Sequence, residues 1–141
     1  MDDAEERKLR VLFVDDDPMI LYSIQRLLAD RRDRWRIAFA SDGPTALKMA
    51  SEAPFDVVVT DLEMPDMSGD ELLRQIRLRR AATRGLILSG DATAERAAHL
   101  IAEGFHVLEK PCSAETLIAG IEPSRAAYPC TGGEYENAAS A

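Results

Sequence analysis

The feature that most constrains this chain is an apolar run that ends abruptly in an acid, within residues 57–69. Three valines and a threonine lead into Asp61, and Met64, Pro65 and Gly69 follow. A short β-branched run bounded in this way is typical of a strand buried on both faces. Because Pro65 has no N–H to donate, the ladder must end before it. The sequence therefore predicts that Asp61 lies at the carboxyl end of a central strand, where open α/β sheets bind ligands.

Short apolar runs alternate with helical spacings of apolar residues along the rest of the chain. Five strands and five helices result, and each helix is long enough to cross from one strand to the next. This alternation implies one parallel sheet with helices on both faces and right-handed crossovers. The predicted fold class is therefore α/β, doubly wound and five-stranded. The predicted strands are 9–14, 35–40, 57–61, 85–89 and 107–109, and 35–40 is expected at an edge.

Helix ends and apolar faces are also predicted. Pro18 and the segment 41–44 are typical of helix starts, and Gly104 is typical of a helix end. Ser68 with Glu71 three residues later predicts a capping box. The residues expected to face inward are Ile20, Ile24, Leu27 and Leu28 on the first helix, Ala46, Leu47 and Ala50 on the second, Leu72, Leu73 and Ile76 on the third, Ala94, Ala97, Ala98 and Ile101 on the fourth, and Leu117 and Ile121 on the fifth.

Composition excludes several classes of protein. The net charge of −8 argues against a general nucleic-acid binder, whose surface is basic. No apolar run approaches the length that spans a membrane, and the charged start lacks the apolar core of a signal peptide. With two cysteines, Cys112 and Cys130, and no CxxC spacing, reduced thiols and a cytoplasmic location are expected. His99 and His106 have no metal-like partners nearby in the sequence and are expected to be structural.

Three parts are expected along the chain. Residues 1–8 form a charged lead, residues 9–122 form one domain, and residues 123–141 are rich in Ala, Gly and Ser. The last part is interpreted as a flexible tail or as the start of a truncated linker. The sequence leaves open whether the domain stands alone or was excised from a larger regulator.

Polar residues occupy equivalent positions at the predicted strand ends. Asp15-Asp16 follow strand one, Asp61 ends strand three, Ser89 ends strand four and Lys110 follows strand five. In a doubly wound sheet these ends converge on one crevice. Two carboxylates about 4 Å apart repel by about 4 kcal/mol at an effective dielectric of about 20, so such a cluster usually holds a cation. A few oxygen ligands open to water suit Mg²⁺, or Mn²⁺, better than Zn²⁺.

The same residues suit phosphoryl transfer. The ammonium of Lys110 and the hydroxyl of Ser89 can each bind a phosphoryl oxygen. Asp61 would then be the nucleophile and would form an acyl phosphate. Phosphoryl transfer mainly needs positioning and charge stabilisation, and these groups supply both.

Four stretches of the chain resemble the receiver domain of bacterial two-component response regulators, of the chemotaxis-regulator type. They are residues 11–18, 57–69 and 86–90, and Lys110-Pro111. The resemblance implies a flavodoxin-like sheet with the strand order 2-1-3-4-5. It departs from the family at Val107, where the family often has the Tyr or Phe that turns inward on phosphorylation.

The resemblance also implies residue roles and partners. Asp61 would accept phosphate from a sensor histidine kinase or a histidine phosphotransfer protein and would signal to a downstream protein, not to nucleic acid or a membrane. The protein would be a monomer or weak dimer, and not an enzyme beyond self-phosphorylation and slow self-dephosphorylation. By this resemblance Mg²⁺ would be bound by Asp16, Asp61 and the backbone carbonyl of Glu63, and by Asp15 through water. Ser89 would supply the switch hydroxyl, and Lys110 would contact the phosphate.

The same residues allow other interpretations. The acids 15–17 could be helix caps alone. A phosphatase of the haloacid dehalogenase type would need Asp and Thr where Glu63 and Pro65 stand, and it would need a cap domain. A receiver-like module that works without phosphorylation is disfavoured by the intact acids and Lys110. The residues Arg74, Arg77, Arg79, Arg80 and Arg84 are expected to form a solvated helix face, or otherwise a docking surface for an acidic partner.

Overall fold

One five-stranded parallel sheet forms the centre of the computed structural model, which describes residues 8–122. The strands are β1 (Leu9–Val14), β2 (Trp35–Ala40), β3 (Val57–Asp61), β4 (Arg84–Ser89) and β5 (His106–Glu109). Their order is β2-β1-β3-β4-β5, as the resemblance implied, and β2 is an edge strand as predicted. β4 and β5 each begin one residue earlier than predicted. The predicted tail, with Cys130, and nearly all of the predicted lead lie outside the described residues.

Five helices connect the strands. They are α1 (Pro18–Leu27), α2 (Gly43–Glu52), α3 (Gly69–Arg79), α4 (Ala94–Ala102) and α5 (Ala114–Ile121), and a short 3₁₀ helix (Ala29–Arg31) follows α1. Side chains of Asp17, Asp42, Thr93 and Ser113 cap four of them by accepting a backbone N–H of the first turn. Among the described residues, none of the helices has the length and apolar character that crossing a bilayer requires.

The sheet has a hydrophobic core on each face, because β3 is buried throughout. Leu12 and Val58 face a cluster with α2, α3 and α4, while Val11 and Val57 face a second cluster with α1 and α5. Alternation of side chains along a strand sends neighbouring residues to opposite faces, so a continuous apolar run supplies both cores. The predicted doubly wound α/β fold is confirmed.

The predicted apolar faces of α1 and α4 are partly wrong. Leu27 is 48% exposed, whereas Ile24 and Leu28 are buried as predicted. On α4, Ala94, Ala98 and Ile101 are exposed, and Leu100 is the buried contact with the core. Ala97 is half-buried, as predicted, so α4 meets the core along a narrow stripe that includes Ala97 and Leu100.

The predicted capping box at Ser68 is also wrong. Ser68 is the N-cap residue of α3, but its side chain makes no capping bond to the first turn. The Ser68 side chain instead acts on the Asp70 carboxylate, whose pKa it lowers. The spacing of Ser68 and Glu71 alone does not reveal that Asp70 competes for the Ser68 side chain.

The solvated helix face expected of five arginines is found in part. Three of them are exposed on α3 (Arg74, Arg77 and Arg79), while Arg80 at the end of α3 is half-buried and Arg84 is half-buried in β4. All five also contact other groups of the protein. The contacts are those of Arg74 with Asp70 and Glu103, Arg77 with the Phe105 ring at 4.2 Å from its centroid, Arg79 with the Gln75 carbonyl, Arg80 with the Ala50 and Ser51 carbonyls, and Arg84 with the Gly120 and Ile121 carbonyls.

Gly69 brings the start of α3 against the end of β3. A Cβ atom at Gly69 would lie 2.2 Å from the backbone oxygen of Asp61, closer than any real contact. The Gly69 N–H donates to the Leu62 carbonyl at 2.9 Å, which closes the loop between β3 and α3. Only a residue without a side chain fits this approach.

Replacing Gly69 by alanine is expected to lower the free energy of unfolding by about 1–3 kcal/mol, because the methyl group displaces the β3–α3 loop from Asp61. Urea denaturation followed by circular dichroism measures the change. Gly90→Ala is the matched control, since a Cβ there would meet nothing within 4 Å, and it should change the stability by less than about 0.5 kcal/mol. Equal effects of the two substitutions would contradict the steric argument.

Candidate functional site

Three carboxylates gather at the carboxyl edge of the sheet. Asp15 and Asp16 directly follow β1, and Asp61 is the last residue of β3. One oxygen of each lies within 4.8 Å of the others, in a group that could hold a metal ion. Asp15 and Asp61 are only 4% and 8% exposed, while Asp16 is exposed. The β1–β3 pairing brings these residues together across more than 40 positions of sequence.

Lys110 is the cation of this group. Its Nζ lies 2.9 Å from Oδ1 of Asp61 and 3.8 Å from Oδ2 of Asp15. Its backbone N–H donates to the Ser89 carbonyl at 2.8 Å, which extends the β4–β5 ladder and aims the side chain at the acids. Burial lowers the pKa of Lys110, but the bond and charge of Asp61 outweigh this effect, so the net shift is upward. Lys110 therefore stays an ammonium at neutral pH.

The surroundings of Asp15 disfavour the charged form of its carboxyl group. Burial raises its pKa above the ordinary value, and the charge of Asp61 adds to this effect. The N–H of Asp17 donates to Oδ1 of Asp15 at 2.9 Å and offsets part of the cost. Asp17 itself accepts the N–H of Met19 and caps α1, so the structural role predicted for Asp17 is confirmed.

Ser89 lies beside the cluster at the end of β4. In the β3–β4 ladder Asp61 pairs with Leu88, so Ser89 is the next residue along the neighbouring strand. The side chain is buried, and its hydroxyl oxygen accepts the N–H of Ala92 at 3.0 Å. The hydroxyl thus fixes the start of the loop that leads into α4.

Glu63 lies outside the cluster of carboxylates, and its side chain is exposed in the loop after β3. Its role as a backbone ligand stays a prediction. Val107 is half-buried and packs against the core on the α4 side of the sheet. His99 and His106 are not among the residues that form a metal-binding group within residues 8–122.

Sequence reasoning missed one buried charge near the site. Asp70, in the first turn of α3, is buried and is paired with Arg74 and Arg96. The spacing of four residues between Asp70 and Arg74 was the available signal. Arg96 lies on another helix, and no local pattern connects it with Asp70.

Comparison with known proteins decides the family. Residues 11–122 match the family model described as the response regulator receiver domain. The chain belongs to the response regulator receiver family. Receiver domains are signalling domains of two-component systems, and the acids at the end of this sheet are consistent with a phosphoacceptor role.

Similar proteins include full-length regulators and single receivers. The receiver is 33% identical over 114 residues to the cell cycle response regulator CtrA of Brucella ovis, a match that covers 80% of this chain and 48% of that protein. It is 32% identical over 117 residues to the transcriptional regulatory protein TrcR of Mycobacterium tuberculosis, covering 82% and 45%. The receiver thus spans about half the length of these relatives.

Solved structures agree with the fold. The chemotaxis protein CheY4 of Vibrio cholerae matches with a TM-score of 0.70 and 32% identity, over 79% of this chain and 93% of that chain. A response regulator receiver domain protein from Clostridium thermocellum matches with a TM-score of 0.73 and 32% identity, over 80% and 90%. The receiver therefore has the CheY-like fold.

Asp15→Asn is expected to raise the free energy of unfolding of the metal-free receiver by about 1 kcal/mol at neutral pH, because it removes one of three crowded charges. The ordinary pKa of an aspartate is 3.8, and the pKa of Asp15 in the folded state is higher. The folded state therefore binds the proton of the Asp15 carboxyl group more tightly than the unfolded state does. Stability therefore falls as the pH rises from 3.8 through the folded-state pKa, and the gain from Asp15→Asn should vanish below that window.

Urea denaturation in a chelating buffer at neutral and acidic pH measures this gain. Asp66→Asn is the control, since Asp66 is an exposed acid outside the carboxylate cluster. The crowding argument is wrong if Asp15→Asn destabilises the receiver at neutral pH.

Proposed function

We propose that this receiver accepts a phosphoryl group on Asp61 from a sensor histidine kinase or a histidine phosphotransfer protein. The observation that supports it best is the arrangement of charge around Asp61. One of its oxygens is bonded by Lys110 at 2.9 Å, and the acids Asp15 and Asp16 lie within 4.8 Å. An arrangement in which one cation faces three acids at an accessible sheet edge favours a bound cation and a phosphoryl group over a purely structural role.

The transfer itself needs little covalent chemistry from the protein. An oxygen of Asp61 forms a bond to phosphorus as the bond from phosphorus to the donor's histidine nitrogen breaks, and that nitrogen keeps the electron pair. Lys110 would move from the carboxylate oxygen to a phosphoryl oxygen, which carries more charge. The hydroxyl of Ser89 would exchange its bond with the Ala92 N–H for a bond that it donates to the phosphoryl group.

The donor set fits Mg²⁺, with Mn²⁺ as a substitute. Carboxylate oxygens on two loops, with the exposed Asp16 open to water, are the ligands that these hard cations prefer. Asp16, Asp61 and the backbone carbonyl of Glu63 would hold the ion, and Asp15 would act through water. When bound, the ion neutralises charge on the carboxylates and on the phosphoryl oxygens.

The output would be a change of surface rather than a chemical product. Phosphate would stabilise one of two pre-existing states of the loops around Ser89, and a downstream protein would bind that state. We propose a cytoplasmic protein, a monomer or weak dimer, that catalyses only its own phosphorylation and slow dephosphorylation.

Incubation with Mg²⁺ and acetyl phosphate, or with a phosphorylated histidine donor, is expected to add one phosphoryl group to the receiver. Intact-mass spectrometry measures the adduct. Asp61→Asn should carry none, because its amide is not a nucleophile. A chelator should abolish the adduct in the unsubstituted protein.

Asp66→Asn is the matched control, since it removes an exposed acid of the same loop and should leave the adduct unchanged. A folded receiver that gains no phosphoryl group from any donor, with Mg²⁺ present, would contradict the proposal. It would point to the module that works without phosphorylation.

Mg²⁺ alone is expected to stabilise the receiver, because an ion that binds only the folded state shifts the folding equilibrium. At about ten times its dissociation constant it should raise the free energy of unfolding by about 1.4 kcal/mol. Thermal denaturation across a Mg²⁺ titration measures the effect. Asp16→Asn should weaken it strongly, while Asp66→Asn should retain it, and equal responses of the two variants would count against the assigned ligands.

A further inference from the structure

Asp70 is a buried acid that the proposed phosphoryl transfer does not use. Asp70 is 6% exposed and lies in the first turn of α3, where it is the only charged residue among the buried residues of that helix. It directly follows Gly69, which is in contact with the backbone of the phosphoacceptor Asp61. Asp70 therefore lies one residue from the point where α3 touches the site.

Two arginines bond the two oxygens of Asp70. Nη2 of Arg74, one turn later on α3, lies 2.8 Å from Oδ2, and Nη2 of Arg96, on α4, lies 3.4 Å from Oδ1. Burial raises the pKa of Asp70, but the bond with Ser68 and the charges of Arg74 and Arg96 outweigh it, and the net shift is downward. The carboxylate is thus charged, buried and dependent on its partners.

The same Arg74 reaches the far end of α4. Its Nε and Nη2 each lie 2.8 Å from an oxygen of Glu103, the C-cap residue of α4. Two ion pairs therefore connect α3 with α4, Asp70–Arg96 and Arg74–Glu103, and the pair Asp70–Arg74 joins them. We call these three pairs together the α3–α4 clamp. The clamp connects the first turn of α3 to both ends of α4. Exposed pairs alone contribute little, but a buried acid that loses a partner is costly.

The start of α4 is also connected to Ser89, the proposed switch hydroxyl. The Ser89 hydroxyl holds the Ala92 N–H at 3.0 Å, and Thr93 caps α4 by accepting the Arg96 N–H at 3.1 Å. The loop between Ser89 and α4 is therefore only a few residues long and is bonded at both ends. A displacement that releases Ala92 from Ser89 would move the helix turn that carries Arg96.

We propose that Asp70 is a positioning residue that holds α4 against α3 in the phosphate-free receiver, and that the α3–α4 clamp sets the cost of the switch. This inference rests on the proposed phosphoacceptor function. Weakening the clamp lowers the free-energy difference between the two states, so it raises the population of the state that phosphate favours. By linkage, the affinity for a phosphoryl mimic rises by the same factor. The clamp gives this receiver a connection between Asp61 and α4 that needs no aromatic residue at Val107.

The test uses Asp70→Asn, which keeps the shape but removes the charge, and Arg96→Gln, which removes only the pair between Asp70 and the first turn of α4 and leaves Arg74–Glu103 in place. Arg79→Gln is the control, because Arg79 bonds Gln75 one turn earlier on the same helix. Hydrogen exchange of the α4 amides is measured without any ligand. The dissociation constant of beryllofluoride in the presence of Mg²⁺ is measured by calorimetry.

Both clamp variants are expected to exchange faster in α4 and to bind beryllofluoride about fivefold or more tightly, while Arg79→Gln matches the unsubstituted protein. Arg96→Gln keeps the bond between Asp70 and Arg74, so it reports on the clamp even if Asp70→Asn does not fold.

Three results would overturn the inference. Unchanged or weaker beryllofluoride binding by Arg96→Gln, when the unsubstituted receiver binds normally, would leave the proposed function intact and reject the clamp. Faster exchange in the strands as much as in α4, with unchanged affinity, would make the network merely structural. No beryllofluoride binding by the unsubstituted receiver with Mg²⁺ would overturn the proposed function together with the inference.

Discussion

Repulsion among three carboxylates is the constraint on which the rest of this receiver depends. Asp15, Asp16 and Asp61 lie close together at one edge of the sheet, and two of them are nearly buried. Such a cluster destabilises the metal-free fold, so the surrounding structure must hold it in place. Lys110 and the N–H of Asp17 supply the local compensation, and the two hydrophobic cores on the faces of β3 supply the remainder.

Parallel strand pairing is what makes this cluster possible. Asp61 and Lys110 are 49 residues apart in the chain and are bonded in space. Because every strand points in the same direction, each contributes its last residue to the same edge. Closing the long connections between strands costs conformational entropy, and the burial of apolar strand residues offsets this cost, since β3 is buried from end to end. The charged cluster at this edge and the hydrophobic cores are therefore formed by different residues of the same strands.

The site is connected to the helices through backbone contacts as well as charges. Gly69 brings α3 against Asp61, and the Ser89 hydroxyl holds the loop that leads into α4. These two contacts lie on either side of Asp61. A phosphoryl group bound there would meet both at once, so a local change of charge has direct routes to two helices. The ion pairs of Asp70 lie between these routes and join them.

The sequence by itself determined the strands, the helices, the starts of α1, α2 and α3 and the residues at the strand ends. These follow from short-range rules: apolar period, Pro and Gly positions, and acids directly after β-branched runs. The roles of Asp15, Asp16, Asp61, Ser89 and Lys110 stay predictions, but their residues lie at the edge where the pattern placed them.

Only the tertiary structure decided which side of each helix is buried and which charges find partners. Leu27 and Ile101 are exposed while the adjacent Leu28 and Leu100 are buried, because the angle at which a helix packs on the sheet selects among adjacent apolar residues. The bond between Asp70 and Arg96 joins two helices whose relative position no local pattern encodes. Packing and long-range ion pairs depend on the assembled sheet, whereas the strand ends depend only on where each apolar run stops.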